Sequence, residues 1–382
     1  MAKPMSCQPT TTTERPLLYD LSREEWESLL TSWGEPAFRA RQIWEWLYRH
    51  LVTDVEAMHT LPRALRARLA AHFTPEGLRP LAEWRSADGR TCKWLFELPD
   101  GERVESVLME YDARRTACIS VQVGCAFACA FCATGRMGLI RNLTAGEIVA
   151  QVLHVERHVR ARGRVGPGGH GVTNVVFMGM GEPLSNYRHT LRAVRVLNDA
   201  AGLRLGARRM TLSTVGLVPA IRRLAHERVQ VNLAVSLHAP TDELRTQLVP
   251  INATYPIAEL MEAVRYYLDH TGRRVTFEYA MIADVNDSPE LAAALADLLS
   301  GLLAHVNLIP LNPVPGSPWQ GSSRERVAAF ANVLRGRGIP TTVRVRRGID
   351  IAAGCGQLYA EVERQGRRVS SPAPGAPLPV GE

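Results

Sequence analysis

At 382 residues, 46% hydrophobic and with a net charge of +7, the chain is long enough for one large domain and a smaller one, and it is too apolar to be disordered. Residues 1–16 contain no apolar core of the kind a signal peptide needs, and no apolar run approaches the ~20 residues that span a membrane. Together with the odd count of seven cysteines, these features argue against a secreted protein stabilised by disulfides. They predict that the protein is located in a reducing cytoplasm.

The first part of the chain predicts a loose tail followed by a small helical domain. Residues 1–20 show no apolar period, and a capping-box pattern starts at Ser22. Apolar residues at helical spacing predict amphipathic helices over residues 37–50 and 61–73, with arginines on their solvent-exposed faces. The sequence therefore predicts a helical domain over residues 21–78. It is either a packing module or an RNA contact, and the basic faces favour RNA slightly.

From about residue 78 the pattern changes to strands. Residues 91–98 and 102–110 are joined by a Pro-Asp-Gly turn. Residues 116–123 then alternate in polarity, which places Cys118, Ser120 and Gln122 on one face of a third strand. This strand is predicted to run directly into a cysteine-rich segment.

Strands and helices alternate from there to about residue 346. The predicted strands cover residues 172–178, 209–214, 231–238, 275–282, 305–310 and 341–346, and the predicted helices cover residues 188–200, 219–227, 256–271, 289–302 and 324–337. This alternation predicts an α/β core over residues 90–358 with a parallel sheet, either open or curved into a barrel. In such folds the ligand site lies at the carboxyl ends of the strands. Residues 359–382 are predicted to be a flexible tail.

Cys125, Cys129 and Cys132 form the strongest chemical signal. Their C-x3-C-x2-C spacing favours a metal centre over disulfides, because neighbouring cysteines rarely meet the separation that a disulfide needs. A zinc site would need a fourth ligand, and the flanking residues offer no obvious pair. An iron–sulfur cube held by three cysteines leaves one iron open to a substrate or cofactor. The plainer alternative is three buried cysteines acting as small hydrophobes.

Polar residues follow several of the predicted strands. The segment Gly179-Met180-Gly181-Glu182-Pro183 comes after an apolar strand, where its glycines let the backbone approach a ligand closely and Glu182 can accept a cationic amine. A histidine at such a position is often a hydrogen-bonded core residue, but several polar residues at equivalent strand ends favour a shared pocket. These residues are Ser213, Ser236, His238 and Asn312.

Two further cysteines do not fit the loop spacing. Cys118 lies on the strand before the loop, and Cys355 lies between two glycines just after the last strand. In a closed barrel the first and last strands are neighbours, so the two thiols can face each other; the alternative is two ordinary buried cysteines. The flanking glycines predict a mobile, accessible Cys355, whereas Cys7 and Cys92 have no such context. Glu105, among apolar strand residues, is either exposed or a general base.

Taken together, these motifs resemble the radical S-adenosylmethionine (SAM) superfamily and, within it, the RNA adenine-C2 methyltransferases of the RlmN type. The resemblance covers about residues 20–360. Seven segments carry it: VQVGC at 121–125, CATG at 132–135, RNLTAGEI at 141–148, GMGEPL at 179–184, STVG at 213–216, SLHA at 236–239 and GCGQL at 354–358. One departure is Val121, where a small hydroxyl residue is expected.

The resemblance implies a fold and two cofactors. The fold is a partial (βα)6-type TIM-like barrel with a small N-terminal helical domain. Cys125, Cys129 and Cys132 would hold a [4Fe-4S] cluster, and its open iron would bind SAM. The remaining SAM contacts would come from Gly181, Glu182, Ser213, Ser236, Leu237, His238 and Asn312.

The resemblance also implies a reaction that uses two SAM molecules per turnover. The first methylates Cys355, and the second is cleaved to a 5′-deoxyadenosyl radical that takes hydrogen from this methyl group. The carbon radical adds to adenine C2 and Glu105 removes the C2 proton. Cys118 then attacks the Cys355 sulfur, which releases methylated RNA and leaves a transient disulfide.

The implied substrate is an adenine of 23S ribosomal RNA, together with the adenine 3′ to the anticodon in some transfer RNAs. Reaching C2 requires the base to leave its stack, and Arg344, Arg346 and Arg347 near Cys355 can neutralise phosphates. We also expect an electron donor such as flavodoxin, a monomeric state and no membrane contact.

Two alternative functions remain at this point. One is methylation of C8 of the same adenine, which confers antibiotic resistance, and the other is a non-catalytic zinc-containing RNA-binding protein.

Overall fold

The computed structural model of the chain describes residues 15–74, 77–165, 169–314 and 316–358. Its first three helices are α1 (Arg23–Ser32), α2 (Phe38–Tyr48) and α3 (Arg63–His72). Ser22 caps α1 in the capping box that the sequence predicts. The small N-terminal helical domain is therefore confirmed.

The prediction of a loose tail through residue 20 is wrong at its end. Leu18–Asp20 form a 3-10 turn in which Leu18 and Tyr19 are buried. The Asp20 carboxylate accepts a hydrogen bond from the Gly146 amide at 2.8 Å. Residues 1–14 of the predicted tail, and the predicted tail over residues 359–382, lie outside the described residues.

Twelve strands and seven further helices follow within the described ranges. The strands are β1 (Arg79–Arg85), β2 (Thr91–Glu97), β3 (Arg103–Glu110), β4 (Arg115–Cys118), β5 (Gln122–Cys125), β6 (Gly138–Asn142), β7 (Asn174–Phe177), β8 (Met210–Thr214), β9 (Asn232–Ser236), β10 (Val275–Met281), β11 (Ala304–Pro310) and β12 (Thr341–Val343). The helices are α4 (Ala145–Ala161), α5 (Tyr187–Asn198), α6 (Val218–Leu224), α7 (Asp242–Leu248), α8 (Ile257–Thr271), α9 (Pro289–Leu299) and α10 (Arg324–Gly336).

Ten of these strands form one sheet, in the order β1-β2-β3-β4-β7-β8-β9-β10-β11-β12. Strands β1 to β4 pair antiparallel, and from β4 onward every neighbour is parallel. Residues of β4 and β12 line one cavity, so the sheet curves, although β12 pairs only with β11 among the described residues. A helix follows each parallel strand from β4 to β11. The predicted partial (βα)6 barrel is confirmed.

The single strand predicted over residues 116–123 is instead two strands in different sheets. The main-sheet strand ends at Cys118, and Ser120 turns away because Gln151 of α4 bonds both its backbone N–H and its carbonyl. The Ser120 hydroxyl donates to the Glu105 carbonyl at 2.6 Å. Strand β5 then pairs with β6 in a separate two-stranded sheet. The cysteine-rich segment is therefore the connection of a hairpin rather than the extension of a barrel strand.

A continuous apolar core joins the helical domain to the barrel. Trp26 and Trp44 belong to the same buried cluster as Leu153 of α4 and Phe177 of β7. Trp44 also packs against the backbone at Gly202, after α5. None of the described helices is long and apolar enough to cross a bilayer.

Candidate active site

The hairpin between β5 and β6 presents the three loop cysteines from one short segment. Cys125 ends β5 opposite Gly138, and Cys129 and Cys132 lie in the connection. Two backbone bonds hold the connection in place: Ala130 N–H donates to the Leu248 carbonyl at 3.0 Å, and Ala133 N–H donates to the Gly356 carbonyl at 2.8 Å. The second bond ties the loop to the segment that carries Cys355.

The surroundings of the three thiols fit a metal cluster better than a single ion. Burial raises the pKa of all three thiols, that of Cys125 to about 12, so binding a metal must displace their protons. Among the described residues, the one group of three potential ligand atoms that all lie within 4.8 Å of one another is Glu83, Cys92 and His158, so the three loop thiols are not all within that distance. Three half-buried thiols too far apart for one ion suit a cube of four irons.

The carboxyl ends of the strands enclose a cavity of about 150 Å³ next to these thiols. It brings together most of the residues that the sequence predicts for the site: Cys125, Cys129, Cys132, Gly181, Glu182, Ser213, Ser236, His238 and Cys355. Leu237 does not line it, because its side chain is buried in the barrel core. Asn312 and Cys118 line a smaller adjoining cavity, and Glu105 lines neither.

Two carboxylates, Glu182 and Glu278, line the cysteine cavity, and Glu182 is the one close enough to the loop thiols for its charge to raise the pKa of Cys125 and Cys129. Its two oxygens accept the amides of Val215 and Leu184 at 2.9 and 3.0 Å, and the Thr214 side chain also hydrogen-bonds to the carboxylate. Three hydrogen bonds leave part of the acceptor capacity of the carboxylate for a ligand. Burial raises the pKa of Glu182 to about 7, so a cationic amine in the cavity would favour its ionised form. Gly181 makes this approach possible, because its φ is +95° and a Cβ there would collide with Gln122.

His238 is held as a neutral hydrogen-bond donor. Its Nδ1 accepts the Ala280 amide at 2.9 Å, which leaves the proton on Nε2. Burial lowers its pKa to about 3. Asn286, which is 0% exposed, donates to both the His238 and Ala280 carbonyls and fixes the backbone on either side.

Arg245 of α7 fixes the ends of β8 and β9 from behind the cavity. Its guanidinium donates to the carbonyls of Val215, Ser236 and Leu237 at 2.7, 3.3 and 3.2 Å. Burial lowers its pKa to about 10. A buried cation that satisfies three strand-end carbonyls keeps the neighbouring serines in place.

Cys118 and Cys355 line one small cavity together with Arg344, in line with the prediction that the two thiols face each other. Among the described residues β12 pairs only with β11, so the sheet does not close. The segment after β12 instead reaches the first strands of the sheet, where Asp350 accepts the Ala87 amide and the Ala352 carbonyl accepts a hydrogen bond from Lys93. Burial and the nearby Cys355 raise the pKa of Cys118 to about 12, and Arg344 opposes that rise. The pKa of Arg344 is itself raised, chiefly by Cys355.

The Cys355 segment is held by hydrogen bonds on both sides, although its glycines predict mobility. Asn312 donates to the Cys355 carbonyl at 3.2 Å, and Gln357 accepts the Gly354 amide and donates to the Pro313 carbonyl. A Cβ at Gly354 would collide with the Asn312 amide. The buried Oδ1 of Asn312 has no hydrogen-bond partner in the described structure, so it can accept a donor from a bound ligand.

Glu105 is buried on β3, with 3% of its surface exposed. Lys93 of β2 lies 2.9 Å from its carboxylate and is 8% exposed. The same ammonium donates to the Ala352 carbonyl at 3.4 Å, three residues before Cys355. Lys93 therefore links the predicted base to the predicted methyl carrier.

Glu83, Cys92 and His158 form a second group of potential ligands on the outer side of β1, β2 and α4. Arg85 donates to the Cys92 thiol, and Trp94 donates to the Glu83 carboxylate at 2.9 Å. A guanidinium at the thiol disfavours a bound cation, so this group does not provide the zinc site of the alternative hypothesis.

Sequence reasoning missed Lys93, Arg245 and Asn286. Only Lys93 gave a usable signal: it is one of two lysines in an arginine-rich chain and lies on a predicted strand. Arg245 lies on a helix too short and polar to show an apolar period. Of the arginines predicted near Cys355, Arg347 pairs with Asp88 at 3.4 Å, and Arg346 is exposed.

Comparison with known sequences gives two family matches. Residues 119–296 match the radical SAM superfamily, and residues 17–74 match the ribosomal RNA large subunit methyltransferase N-terminal domain. The second match begins at Leu17, which is the first buried residue of the described chain.

Proteins that are similar to this chain over most of its length share one name. A probable dual-specificity RNA methyltransferase RlmN from Chloroflexus aurantiacus is 54% identical, over 90% of this chain and 93% of its own. The protein of the same name from Geobacillus kaustophilus is 45% identical, over 96% of this chain and 100% of its own. A crystal structure of a radical SAM methyltransferase from Sphaerobacter thermophilus superposes with a TM-score of 0.87 at 55% identity, over 91% of this chain and 100% of that one.

Proposed function

The chain belongs to the radical SAM superfamily and, within it, to the RlmN family of RNA methyltransferases, and we propose that it methylates carbon 2 of an adenine in 23S ribosomal RNA and of the adenine 3′ to the anticodon in transfer RNAs. One observation carries the proposal: Cys355 lines both the cavity beside the three loop thiols and the cavity that contains Cys118. A thiol at that junction can receive a group on one side and lose it on the other.

Cys125, Cys129 and Cys132 are the proposed ligands of the [4Fe-4S] cluster. When bound, the cluster supplies the electron that cleaves SAM to methionine and a 5′-deoxyadenosyl radical. Glu182 lies where it can accept the amino group of SAM, and His238 Nε2 can donate a hydrogen bond into the same cavity. Gly181, Ser213 and Ser236 complete the proposed SAM contacts there, with Asn312 in the adjoining cavity; Leu237 contributes through its backbone, whose carbonyl Arg245 holds.

Cys355 is the proposed methyl carrier. Its sulfur would take a methyl group from one SAM, with S-adenosylhomocysteine as the leaving group, and this methyl group would lose one hydrogen to the radical derived from a second SAM. Its carbon then bonds to adenine C2. C2 is electron-poor and does not attack SAM as an ordinary nucleophile, which is why a radical route is needed. The hydrogen bonds from Asn312 and Gln357 hold the Cys355 backbone in place during this transfer.

Glu105 is the proposed acceptor of the C2 proton, a general-base role. Its ammonium partner Lys93 compensates the buried carboxylate and connects it to the Cys355 segment. Lys93 touches neither substrate nor cofactor in this scheme, so it is a positioning residue.

Cys118 is the proposed resolving thiol. Before it acts, the adduct must give up the C2 proton to Glu105 and its unpaired electron, which the oxidised cluster would accept. The Cys118 thiolate then attacks the Cys355 sulfur: the electron pair of the broken sulfur–carbon bond goes to the transferred carbon, which takes a proton to become the methyl group, and a Cys118–Cys355 disulfide remains. The thiol is protonated at rest, since burial raises its pKa, and Arg344 favours the thiolate. Reopening the disulfide needs a reducing compartment, so the proposed setting is the cytoplasm, with a flavodoxin-like protein as electron donor to a monomeric enzyme.

The position of methylation is the decisive test. The protein, purified without oxygen, is supplied with SAM, a reductant and a 23S ribosomal RNA fragment, and the product nucleoside is mapped by mass spectrometry. We expect 2-methyladenosine in this RNA and in a transfer RNA added in parallel. 8-Methyladenosine as the product would overturn the assignment in favour of the C8 alternative. A colourless, iron-free preparation containing zinc would contradict the enzyme assignment altogether.

A further inference from the structure

The amino ends of the parallel strands surround a second, larger cavity of about 840 Å³. It lies at the opposite end of the barrel from the three loop cysteines. Five arginines line it, and the only carboxylate among its lining residues is Glu278. These arginines are Arg114, Arg208, Arg273, Arg274 and Arg344; the first four, which precede the starts of β4, β8 and β10, are called the mouth arginines here.

The mouth arginines differ from those on the outer helices in their partners. Arginines 160, 162 and 195 pair with carboxylates at 2.6 to 2.8 Å. Within the described residues, no mouth arginine pairs with a carboxylate: Arg208 donates to Gln230, Arg273 to Asn232 and the Val231 carbonyl, and Arg114 stacks on Tyr111. Four positive charges without acidic partners around one opening attract a polyanion.

The cavity continues to the thiols. It shares Met109, Met178 and Arg344 with the small cavity that contains Cys118 and Cys355. The carboxylate of Glu278, which lines the same cavity, accepts a hydrogen bond from the Asn307 side chain at 2.7 Å and lies close to Arg344. The path from the amino-end opening to Cys355 therefore runs past Arg344 and two methionine side chains.

We propose that the RNA strand carrying the target adenine approaches through this amino-end opening, with its phosphates on the mouth arginines and its unstacked base directed past Arg344 to Cys355. This inference rests on the proposed function and adds the face of the barrel that the RNA contacts. SAM and RNA would then occupy opposite ends of one barrel and meet at Cys355.

Two features favour a nucleic acid strand over a free small anion. The guanidinium carbons of Arg114 and Arg347 lie 4.2 and 4.6 Å from the centroid of the Tyr111 ring, so an aromatic ring and two planar cations, the kinds of group on which bases stack, lie together beside the opening. The mouth arginines lie just before three different strands, so they are spread around the opening and do not converge on one point. A single phosphate needs convergence, whereas a backbone with a repeating charge suits a ring of separate cations.

The test compares two triple variants that remove the same charge. The mouth variant is R114Q/R208Q/R274Q, which spares Arg273 because its backbone hydrogen bond supports β9. The control is R188Q/R265Q/R324Q, three exposed arginines on α5, α8 and α10. For each full-length protein, binding of a short single-stranded RNA containing the target adenine is measured over a salt series, as is SAM-dependent methylation of Cys355 without RNA.

We expect the mouth variant to lose at least tenfold in RNA affinity at low salt. The slope of log affinity against log salt should fall by about 2, at ~0.7 for each phosphate that an arginine no longer neutralises. The control should change by less than threefold, and Cys355 methylation should be unchanged in both. Equal losses in both triples, or wild-type RNA binding by the mouth variant, would overturn the proposal.

Two further outcomes separate this inference from its alternatives. Tight binding of adenosine monophosphate that the mouth variant loses, without a change in the RNA salt slope, would make the cavity a nucleotide site and contradict an RNA path. Failure of the wild-type protein to methylate C2 would overturn the proposed function instead. The binding comparison needs no methyl transfer, so it still decides where the RNA lies.

Discussion

The two ends of the barrel differ in nearly every physical property. The carboxyl end is narrow and buried, and it holds thiols whose pKa values are raised and a histidine kept neutral. The amino end is wide and polar, and it is ringed by arginines that pair with no carboxylate of the described chain. Cys355 and Arg344 lie between the two. The contrast teaches that one sheet can enclose a narrow, buried site at one end and still present a wide, positively charged opening at the other.

The largest expected effect comes from the thiol between the two ends. Cys355→Ala should abolish methyl transfer and form no covalent RNA adduct, whereas Cys118→Ala should accumulate an adduct through Cys355 because its resolving thiol is missing. Denaturing gel electrophoresis followed by mass spectrometry separates these cases. If the ends act independently, both variants should bind RNA as the wild type does. Normal turnover by Cys118→Ala would disprove the resolving role.

A second prediction concerns the carboxyl end alone. Cys129→Ser should lose bound iron and all SAM cleavage, because two remaining thiolates cannot hold a cube. Cys92→Ser, which alters a buried cysteine on the outer face, should keep its iron. Iron analysis and visible absorption after anaerobic purification give the readout. A Cys129→Ser protein that retained its full iron content would place the ligands elsewhere.

Lys93→Met should reduce turnover on RNA by about 10²-fold, the lower range for loss of general-base catalysis. The substitution leaves the Glu105 carboxylate buried without its cation. Methylation of Cys355 by SAM precedes the proton transfer and should be unaffected, so the methylated protein should accumulate RNA adduct. Lys93→Arg is the matched control that keeps a cation. Equal losses in both steps would indicate a merely structural lysine.

Arg344 lines the cavities at both ends of the barrel, so its replacement tests whether thiol chemistry and RNA binding can be changed separately. Arg344→Gln removes the cation that opposes the raised pKa of Cys118, so this pKa should rise further. Less thiolate is then present near neutral pH. Adduct resolution near pH 8 should slow by about tenfold for each unit by which the pKa rises, and it should recover as the pH rises. Arg344→Lys should behave like the wild type. A rate independent of pH in both variants would rule out this role.

The smallest effect is expected away from both ends. Asp20→Ala removes the carboxylate that accepts the Gly146 amide at the start of α4. We expect a loss of about 1 kcal/mol in the free energy of unfolding, typical of a lost helix-terminal bond. Denaturant titration measures it, with Asp54→Ala as a comparison in a 3-10 turn. RNA binding and Cys355 methylation should both persist.

The βα series and the three-cysteine loop could be predicted because their signals are local. Apolar strands such as β7 and β10 are followed by helices with clear apolar spacing. Strands β1 and β6 and helix α7 were not predicted. Strand β6 exists because β5 pairs with it across the cysteine connection, and the seven residues of α7 show no apolar period.

The site shows the same limit. Cys118, Cys355 and the strand-end residues could be identified from motifs, whereas Arg245 depends on the carbonyl of Val215, 30 residues earlier, as well as on that of Leu237 at the end of the neighbouring strand. The break at Ser120 depends on Gln151, 31 residues later. Such contacts depend on the finished fold, and no local pattern encodes them.

The core shared by the helical domain and the barrel has a consequence for the substrate. Trp26 and Trp44 are buried in the same cluster as the barrel helices, so the domain cannot swing without exposing large aromatic surfaces to water. The span between the helical domain and Cys355 is therefore a fixed length. An RNA that contacts both must match this length, and where it does not, the RNA must be the partner that bends. We therefore expect the proposed target adenine to be selected by its distance from the RNA segment that contacts the helical domain.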